Sequence, residues 1–308
     1  MRGFCGIVTQ PNLPIFNVDA LLEQSLPRGR YAVGAAGGGW LFGLAVPATV
    51  VVLVALLIAR SEPDLAPAMQ TAAGFAVFAV FLTFAMGNFA RAQRAAEERR
   101  LLDQLEDFMT LRRWPEAAAL ATGLLSGPMT NHAARVRALV FLSGVLSRYH
   151  QFSAAVEVHN HLLQNVELDP GLELTLKVAR ALALLREDRL LDADRAIVEL
   201  RRVPAAGQIA GAGLVELYRD VKTGHPDEAI ALFERRRDQF GPQLGHRAAD
   251  AFALASLAYA ARGARERAAQ LWRKATLLTP VAELLRRYPE LRMVAEAHPP
   301  APAPREAA

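Results

Sequence analysis

The sequence predicts an all-α protein: a two-helix transmembrane hairpin followed by an α-solenoid of about five helix-turn-helix repeats. Two observations predict this fold class. Two long uncharged runs lie near the N-terminus, and beyond them small residues and prolines return at a nearly constant interval. Hydrophobic residues make up 52% of the 308 residues, which is high for a chain without a membrane segment.

Residues 1–30 form a polar, proline-punctuated segment that is too mixed for a secretory signal. A short helix is predicted from Asn17 to Leu26, with Asn17 as its cap and Val18, Leu21 and Leu22 on one side. This helix either rests on the membrane interface or docks a partner. Cys5 is the single cysteine, which excludes an intramolecular disulfide framework and a cysteine-built zinc site.

The transmembrane hairpin is predicted within residues 31–91. No charged residue lies between Tyr31 and Ala59 or between Ala66 and Ala90, and each run is long enough to cross a hydrocarbon core of ~30 Å. The spans are predicted at about 38–59 and 68–90. Because neither contains an ionisable residue, they are expected to serve as an anchor rather than an ion pathway.

The flanking charges predict the orientation of this hairpin. The connector carries Glu62 and Asp64 with only one arginine, whereas both outer flanks are rich in arginine. By the positive-inside rule, both termini then face the cytoplasm, which predicts an integral membrane protein. Arg91 and Arg94 are expected at the level of the lipid headgroups, where each contributes on the order of 1 kcal/mol of attraction.

Small residues in both predicted spans favour close helix packing. Gly39 and Gly43 form a GxxxG step, and a ridge of alanines follows in the second run. They could join the two spans to each other or to a second copy of the chain. After Arg91 no helix breaker follows, so the second span is predicted to continue as one helix into the first repeat.

The repeat domain is predicted over residues 92–296. Five alanines mark the second helix of each repeat and are separated by 38, 38, 36 and 39 residues: Ala117, Ala155, Ala193, Ala229 and Ala268. A proline follows each of these helices: Pro128, Pro170, Pro204, Pro242 and Pro280. Small residues are expected where two helix backbones approach closely.

This pattern resembles the tetratricopeptide repeat, a helical hairpin with a period near ~34 residues. The resemblance covers about Glu98 to Pro280. Three residues before each alanine it implies a large ring or aliphatic side chain, which Trp114, Phe152 and Leu190 supply. Pro226 and Arg265 depart from it, and Gly211 and Gly213 make the first helix of the fourth repeat the weakest.

The array is predicted to end in a capping helix from about Pro280 to Tyr288. Its Glu283, Arg286 and Arg287 are expected to form a charged outer face. Residues 297–308 are rich in proline and alanine and are expected to be disordered.

The sequence predicts no catalytic residue, no cofactor and no metal site. Walker A, HExxH and GxSxG strings are absent, and His159 and His161 diverge by ~200° on a helix. The net charge of +4, without a basic run interleaved with aromatics, gives no sign of nucleic-acid binding. The chain is therefore expected not to be an enzyme.

The remaining candidate for function is a binding surface on the helical repeats. The resemblance implies that the first helix of each repeat lines a peptide groove, formed by Leu102, Met109, Arg137, Val140, Arg148, Val178, Leu182, Arg186, Leu214, Tyr218 and Lys222. An apolar lining with scattered positive charge would suit an apolar helix or peptide that carries acidic residues. Any one of these side chains could instead pack between repeats.

In architecture the chain resembles bacterial inner-membrane tetratricopeptide proteins. The sequence therefore favours a membrane-anchored adaptor or scaffold that binds other proteins or peptides at the cytoplasmic face of the inner membrane. The alternative is an accessory subunit of a transport, secretion or envelope-assembly complex, in which the membrane hairpin is itself functional.

Overall fold

A computed structural model of the chain describes residues 18–23, 66–127, 129, 131–204 and 206–299. Throughout those residues the regular structure is helical, so the all-α prediction is confirmed. The predicted first span, Cys5, the connector and the last residues of the tail lie outside the described residues.

Thirteen α-helices occur in the described ranges: α1 Val18–Glu23, α2 Ala66–Thr110, α3 Trp114–Ser126, α4 His132–Arg148, α5 Phe152–Asn165, α6 Pro170–Arg186, α7 Leu190–Arg201, α8 Ala210–Lys222, α9 Pro226–Leu244, α10 Ala248–Ala261, α11 Arg265–Leu278, α12 Val281–Arg287 and α13 Arg292–Ala297. Short 3-10 turns are Ala206–Gln208, Gly245–Arg247 and Pro289–Leu291. The chain divides into two compact units, Met1–Ala138 and Leu139–Ala308.

Helix α1 falls within the predicted segment and packs on the protein itself. Val18 is 5% exposed and Leu21 is 8% exposed. The Leu21 carbonyl accepts a hydrogen bond of 3.2 Å from the Arg135 guanidinium at the start of α4. Burial lowers the pKa of Arg135. Val18 and Leu21 are thus covered within the first unit and are not available to lipid or to a partner.

Helix α2 confirms that the second uncharged run and the charged residues after it form one uninterrupted helix. Its 45 residues extend over ~68 Å at 1.5 Å per residue. At its C-terminal end Leu102 and Leu105 are buried in the first unit. In the described part of the chain, no helix combines the length and the apolar character that crossing a bilayer requires.

The N-terminal half of α2 carries a row of exposed apolar side chains, each 47–71% exposed: Phe75, Phe78, Phe81, Leu82, Met86 and Phe89. At 100° per residue these positions fall within one arc of ~140° around the helix. We call this row the aromatic face. Arg91 and Arg94 follow it and are exposed.

The five repeats share one backbone turn. Five residues before each marker alanine, the chain adopts a positive φ of 59–77° at Arg112 (59°), His150 (61°), Asp188 (59°), Gly224 (76°) and Gly263 (77°). The next residue donates its N–H to the carbonyl five residues back, as in Arg113 to Phe108 and Ala264 to Tyr259. This is the Schellman-type end of a helix, and its repetition identifies five equivalent hairpins.

The marker alanines lie where the sequence analysis required small residues. All five are fully buried, at 0% exposure. Each donates its N–H to the residue four positions earlier in the turn, as in Ala117 to Arg113 and Ala268 to Ala264. The second helix of each hairpin begins three residues before its alanine, and this holds even where Pro226 and Arg265 replace a large side chain. Proline suits the first position of a helix because the N–H it lacks has no partner there.

Two proline predictions need correction. Pro242 does not end a helix but lies inside α9, which continues to Leu244. The helix continues for two residues beyond it although proline has no N–H to donate, and the turn to α10 is made by Gly245 at a φ of 55°. Pro280 is the residue before α12 rather than its first residue, and α11 ends at Leu278 with Thr279 as its C-cap.

The glycines of the fourth repeat do not break its first helix. A Cβ at Gly213 would lie 2.9 Å from Cδ of Arg236 and 3.4 Å from Cε1 of Phe240, both on α9. A Cβ at Gly211 would lie 3.3 Å from Val178 on α6. These positions allow α8 to approach its neighbours closely, and that packing offsets the low helix propensity of glycine.

Arg112 occupies a left-handed conformation that costs an L-residue ~1 kcal/mol, and its side chain is exposed. We expect Arg112→Gly to raise the free energy of unfolding of the first unit by ~1 kcal/mol. Gly263→Ala is the matched control: it should lower stability by ~1 kcal/mol, and since no atom lies within 4 Å of the new Cβ, the loss is conformational. Urea denaturation of both variants measures the effect, and a loss of stability for Arg112→Gly would contradict it.

Candidate functional site

The residues after the fifth hairpin fold back over the first helices of the second unit. We call Val281–His298 the C-terminal segment; it contains α12, the turn Pro289–Leu291 and α13. Four of its apolar side chains, Leu284, Tyr288, Leu291 and Val294, are at most 1% exposed. They belong to the same hydrophobic core as residues of α6, α8 and α10.

The predicted groove positions can now be placed. In the first unit, Leu102 is buried, Met109 is half-buried, and Arg137 is exposed and pairs with Asp103 and Glu106. In the second unit, Leu182, Leu214 and Tyr218 are core residues, and Val140 and Val178 are half-buried. The four polar members of that unit all contact the C-terminal segment: Arg148, Arg186, Tyr218 and Lys222. We call these four residues, together with Asp250 of α10, the groove.

At one end of the groove, Arg148 holds the carboxylate of Glu283. The two Nη atoms of Arg148 lie 2.6 and 3.2 Å from the two carboxylate oxygens, which is a bidentate pair. Arg287 bonds the same carboxylate and also donates to Asp250 Oδ1 at 2.7 Å. Asp250 is fully buried on α10. A chain of alternating charges thus joins α4, the C-terminal segment and α10.

This end of the groove is electropositive. Burial lowers the pKa of His150, and the charges of Arg186, Arg286 and Arg148 lower it further. Burial raises the pKa of Glu283, but hydrogen bonds from Arg287 and Arg148 outweigh it and bring the pKa down to about 2. The surroundings therefore favour a carboxylate at the position of Glu283.

In the middle of the groove, Tyr288 lies between a cation and a second ring. The guanidinium of Arg186 is 5.2 Å from the centre of the Tyr288 ring, and its Nη2 donates to the phenol oxygen at 3.3 Å. The ring of Tyr218 meets Tyr288 edge-on, with centroids 4.9 Å apart at 87°. Burial raises the pKa of Tyr288, so it remains a neutral phenol. These contacts select an aromatic side chain at this position.

At the other end of the groove, the ammonium group of Lys222 contacts three oxygen acceptors. Its Nζ lies 3.0 Å from Glu290 Oε1, 2.7 Å from Asp188 Oδ1 and 3.3 Å from the Tyr218 hydroxyl. The Tyr218 hydroxyl also donates to Glu290 Oε1 at 3.2 Å. A second acid of the C-terminal segment is therefore bound by one residue pair of α8.

The far end of the segment is fixed on the last hairpin. The indole N–H of Trp272 on α11 donates to the His298 carbonyl at 3.0 Å, and Trp272 is 1% exposed. Beside the segment lies an open pocket of about 450 Å³, mostly apolar, whose lining includes Val221, Leu257, Pro289 and Met293.

The predicted charged outer face of the capping helix is wrong for two of its three residues. Glu283 and Arg287 point into the groove, where the side chain of each is 17% exposed, and Arg286 is exposed. The spacing of Leu284, Tyr288 and Leu291 marks an inward apolar face of α12 and its turn. That periodicity was a signal in the sequence, but it could not show which surface the face would cover.

His159 lies on α5, the second helix of the second hairpin, and is buried. Among the residues that the structure describes, no group of three or more potential ligands is close enough to hold a metal ion. His159 is 1% exposed, and burial followed by the charge of Arg180 lowers its pKa to about 4, so it is a neutral core residue.

Glu283 makes the binding of the C-terminal segment to the groove depend on pH. Because its pKa is lowered from 4.5 to about 2, its contribution is complete above pH 4.5 and is lost as the pH falls from 4.5 to 2. We expect faster hydrogen exchange in α12 over that window than its intrinsic pH dependence explains. Glu283→Gln should remove this extra dependence, and an unchanged profile in that variant would contradict the assignment.

Comparisons with known proteins give no match: no family model matches the sequence, and neither the curated proteins nor the solved structures include a match to it. The architecture of the described residues is that of an all-helical protein built from recurring helical hairpins.

Proposed function

We propose that the protein is a membrane-anchored adaptor with tetratricopeptide-like hairpins that bind other proteins at the cytoplasmic face of a bacterial inner membrane. One observation carries the proposal. Helix α2 joins an exposed aromatic face at one end to buried side chains of the first hairpin at the other, without a break between them. One continuous helix thus connects the exposed aromatic face to the buried side chains of the first hairpin.

The aromatic face supports contact with lipid. A row of large apolar side chains at 47–71% exposure is costly in water and is typical of a surface that another apolar phase covers. Two arginines directly after it suit an anionic headgroup layer, and the uncharged residues 31–59 could supply the second span of a hairpin. The five equivalent hairpins support a binding role because arrays of this kind present extended surfaces.

Cysteine labelling of the full chain in intact bacteria tests the orientation. In a Cys5→Ser background, Ser61→Cys in the connector should react with a membrane-impermeant maleimide from outside. Ala119→Cys, an exposed position on α3, should react only after the membrane is opened. The positive-inside bias is the physical reason.

Lysed cells are the control, since both cysteines must then react. Labelling of Ala119→Cys in intact cells would overturn the orientation. Release of the full chain from membranes by alkaline washing would overturn the anchor itself.

A further inference from the structure

We propose that the C-terminal segment is a built-in ligand of the groove, and that the groove binds partner helices of the same chemistry in exchange for it. Such a partner would present an acid, an aromatic residue five positions later and a second acid two positions after that, as Glu283, Tyr288 and Glu290 do. The inference rests on the proposed adaptor role and specifies what the adaptor binds.

The segment contacts the groove helices in two ways. Its apolar side chains Leu284, Tyr288, Leu291 and Val294 are buried in the core that includes residues of α6, α8 and α10. In addition, each groove helix contributes a polar or aromatic side chain to a contact with the segment: Arg148 of α4, Arg186 of α6, Tyr218 and Lys222 of α8, and Asp250 of α10. Arginine, tyrosine and lysine at fixed spacing are the groups that recognise a peptide by its side chains.

The segment is also built from elements that need the groove to fold. Helices α12 and α13 have seven and six residues, which is too short for stability in water. Two extended residues, Thr279 and Pro280, join the segment to α11. This linker carries no helical hydrogen bonding across it, so the segment can leave the groove without unwinding α11.

Tethering explains how such a groove stays selective. A ligand on a two-residue linker has an effective concentration on the order of millimolar. If the free segment bound the groove with a dissociation constant of about 1 µM, an external helix would bind the intact chain roughly a thousandfold more weakly than the open groove. Only a partner with additional contacts, or one held nearby, would displace the segment.

The test uses a fluorescent peptide of residues 281–298 and measures its anisotropy with the full purified chain. Glu283→Arg combined with Tyr288→Ala should release the segment from the groove, and the peptide should then bind at least 100-fold more tightly than to the unaltered chain. Glu296→Arg is the matched control, since it makes the same charge reversal at an exposed position of α13 and should leave binding weak.

Exchanging the charges of the pair between residues 148 and 283 tests whether the peptide binds in the groove. A chain that carries Arg148→Glu together with Glu283→Ala and Tyr288→Ala, so that its own segment cannot form the reversed pair, should reject the natural peptide and accept one with Glu283→Arg, because the pair is restored with opposite charges. Weak binding of both peptides to a released, folded chain would overturn the proposal, as would equal binding of both.

If the released variant does not fold, hydrogen exchange on the unaltered chain decides. Exchange of α12 and α13 amides at a lower free energy than α10 and α11 amides supports the built-in ligand, and exchange of all four helices together overturns it. This readout is independent of the membrane. Loss of the anchor in the washing experiment would disprove the proposed localisation and leave the peptide result standing.

Discussion

Tyr288→Ala is expected to release the C-terminal segment almost completely. The ring is fully buried between Arg186 and Tyr218, and truncating a buried aromatic side chain typically costs ~3–5 kcal/mol. The loss falls on the free energy that holds the segment in the groove. Protection of the α12 amides against hydrogen exchange should therefore fall by roughly two to four orders of magnitude.

Tyr288→Phe is the control for this variant. It retains the ring contacts and loses only the 3.3 Å hydrogen bond from Arg186, so the expected cost is ~1 kcal/mol or less. Equal losses of protection in the two variants would show that the hydroxyl, and not the ring, holds the segment.

Asp250→Ala is expected to have the second largest effect, ~3 kcal/mol. Asp250 is fully buried and accepts from Arg287 at 2.7 Å, with Arg247 Nε 3.7 Å away. Removing one partner of a buried ion pair leaves the other charge poorly solvated. Arg287 retains its bond to Glu283, which limits the loss to the lower end of the range for buried pairs. Chemical denaturation of the full chain measures it.

Asp227→Ala provides the contrast, because Asp227 pairs with Arg262 at 2.7 Å where both side chains are more than half exposed. A pair in that setting contributes ~0–1 kcal/mol. If the two variants lost similar amounts of stability, the buried charges of the groove would not hold the segment as described.

The repeat register could be predicted from sequence because it depends on local sterics. An alanine at each close approach recurs at intervals of 36–39 residues, and in the first three repeats a large ring or aliphatic side chain precedes it by three positions. The structure buries all five alanines and begins each second helix at the expected residue. The continuation of α2 beyond Arg91 was predictable for the same reason, since helix formers without a breaker extend a helix.

Other features depended on neighbours far away in the chain. Gly211 and Gly213 read as helix breakers until the close packing of α8 against α6 and α9 is known. Arg112, His150 and Asp188 occupy the left-handed turn position that glycine fills in the last two repeats, so residue type alone did not mark the first three turns. The position of Pro242 within the last turn of α9 was likewise not evident from its residue type.

By itself, then, the sequence determined the helical class, the five-fold recurrence and the identity of the polar residues on the first helices, because spacing and side-chain size act over one or two helical turns. Only the tertiary structure decided what those polar residues bind. Glu283 and Arg148 are separated by 135 positions along the chain, and their pairing exists only when the C-terminal segment folds back across α10. A surface pattern specifies the chemistry of a groove, whereas its occupant is selected by the competition of all buried contacts in the folded chain.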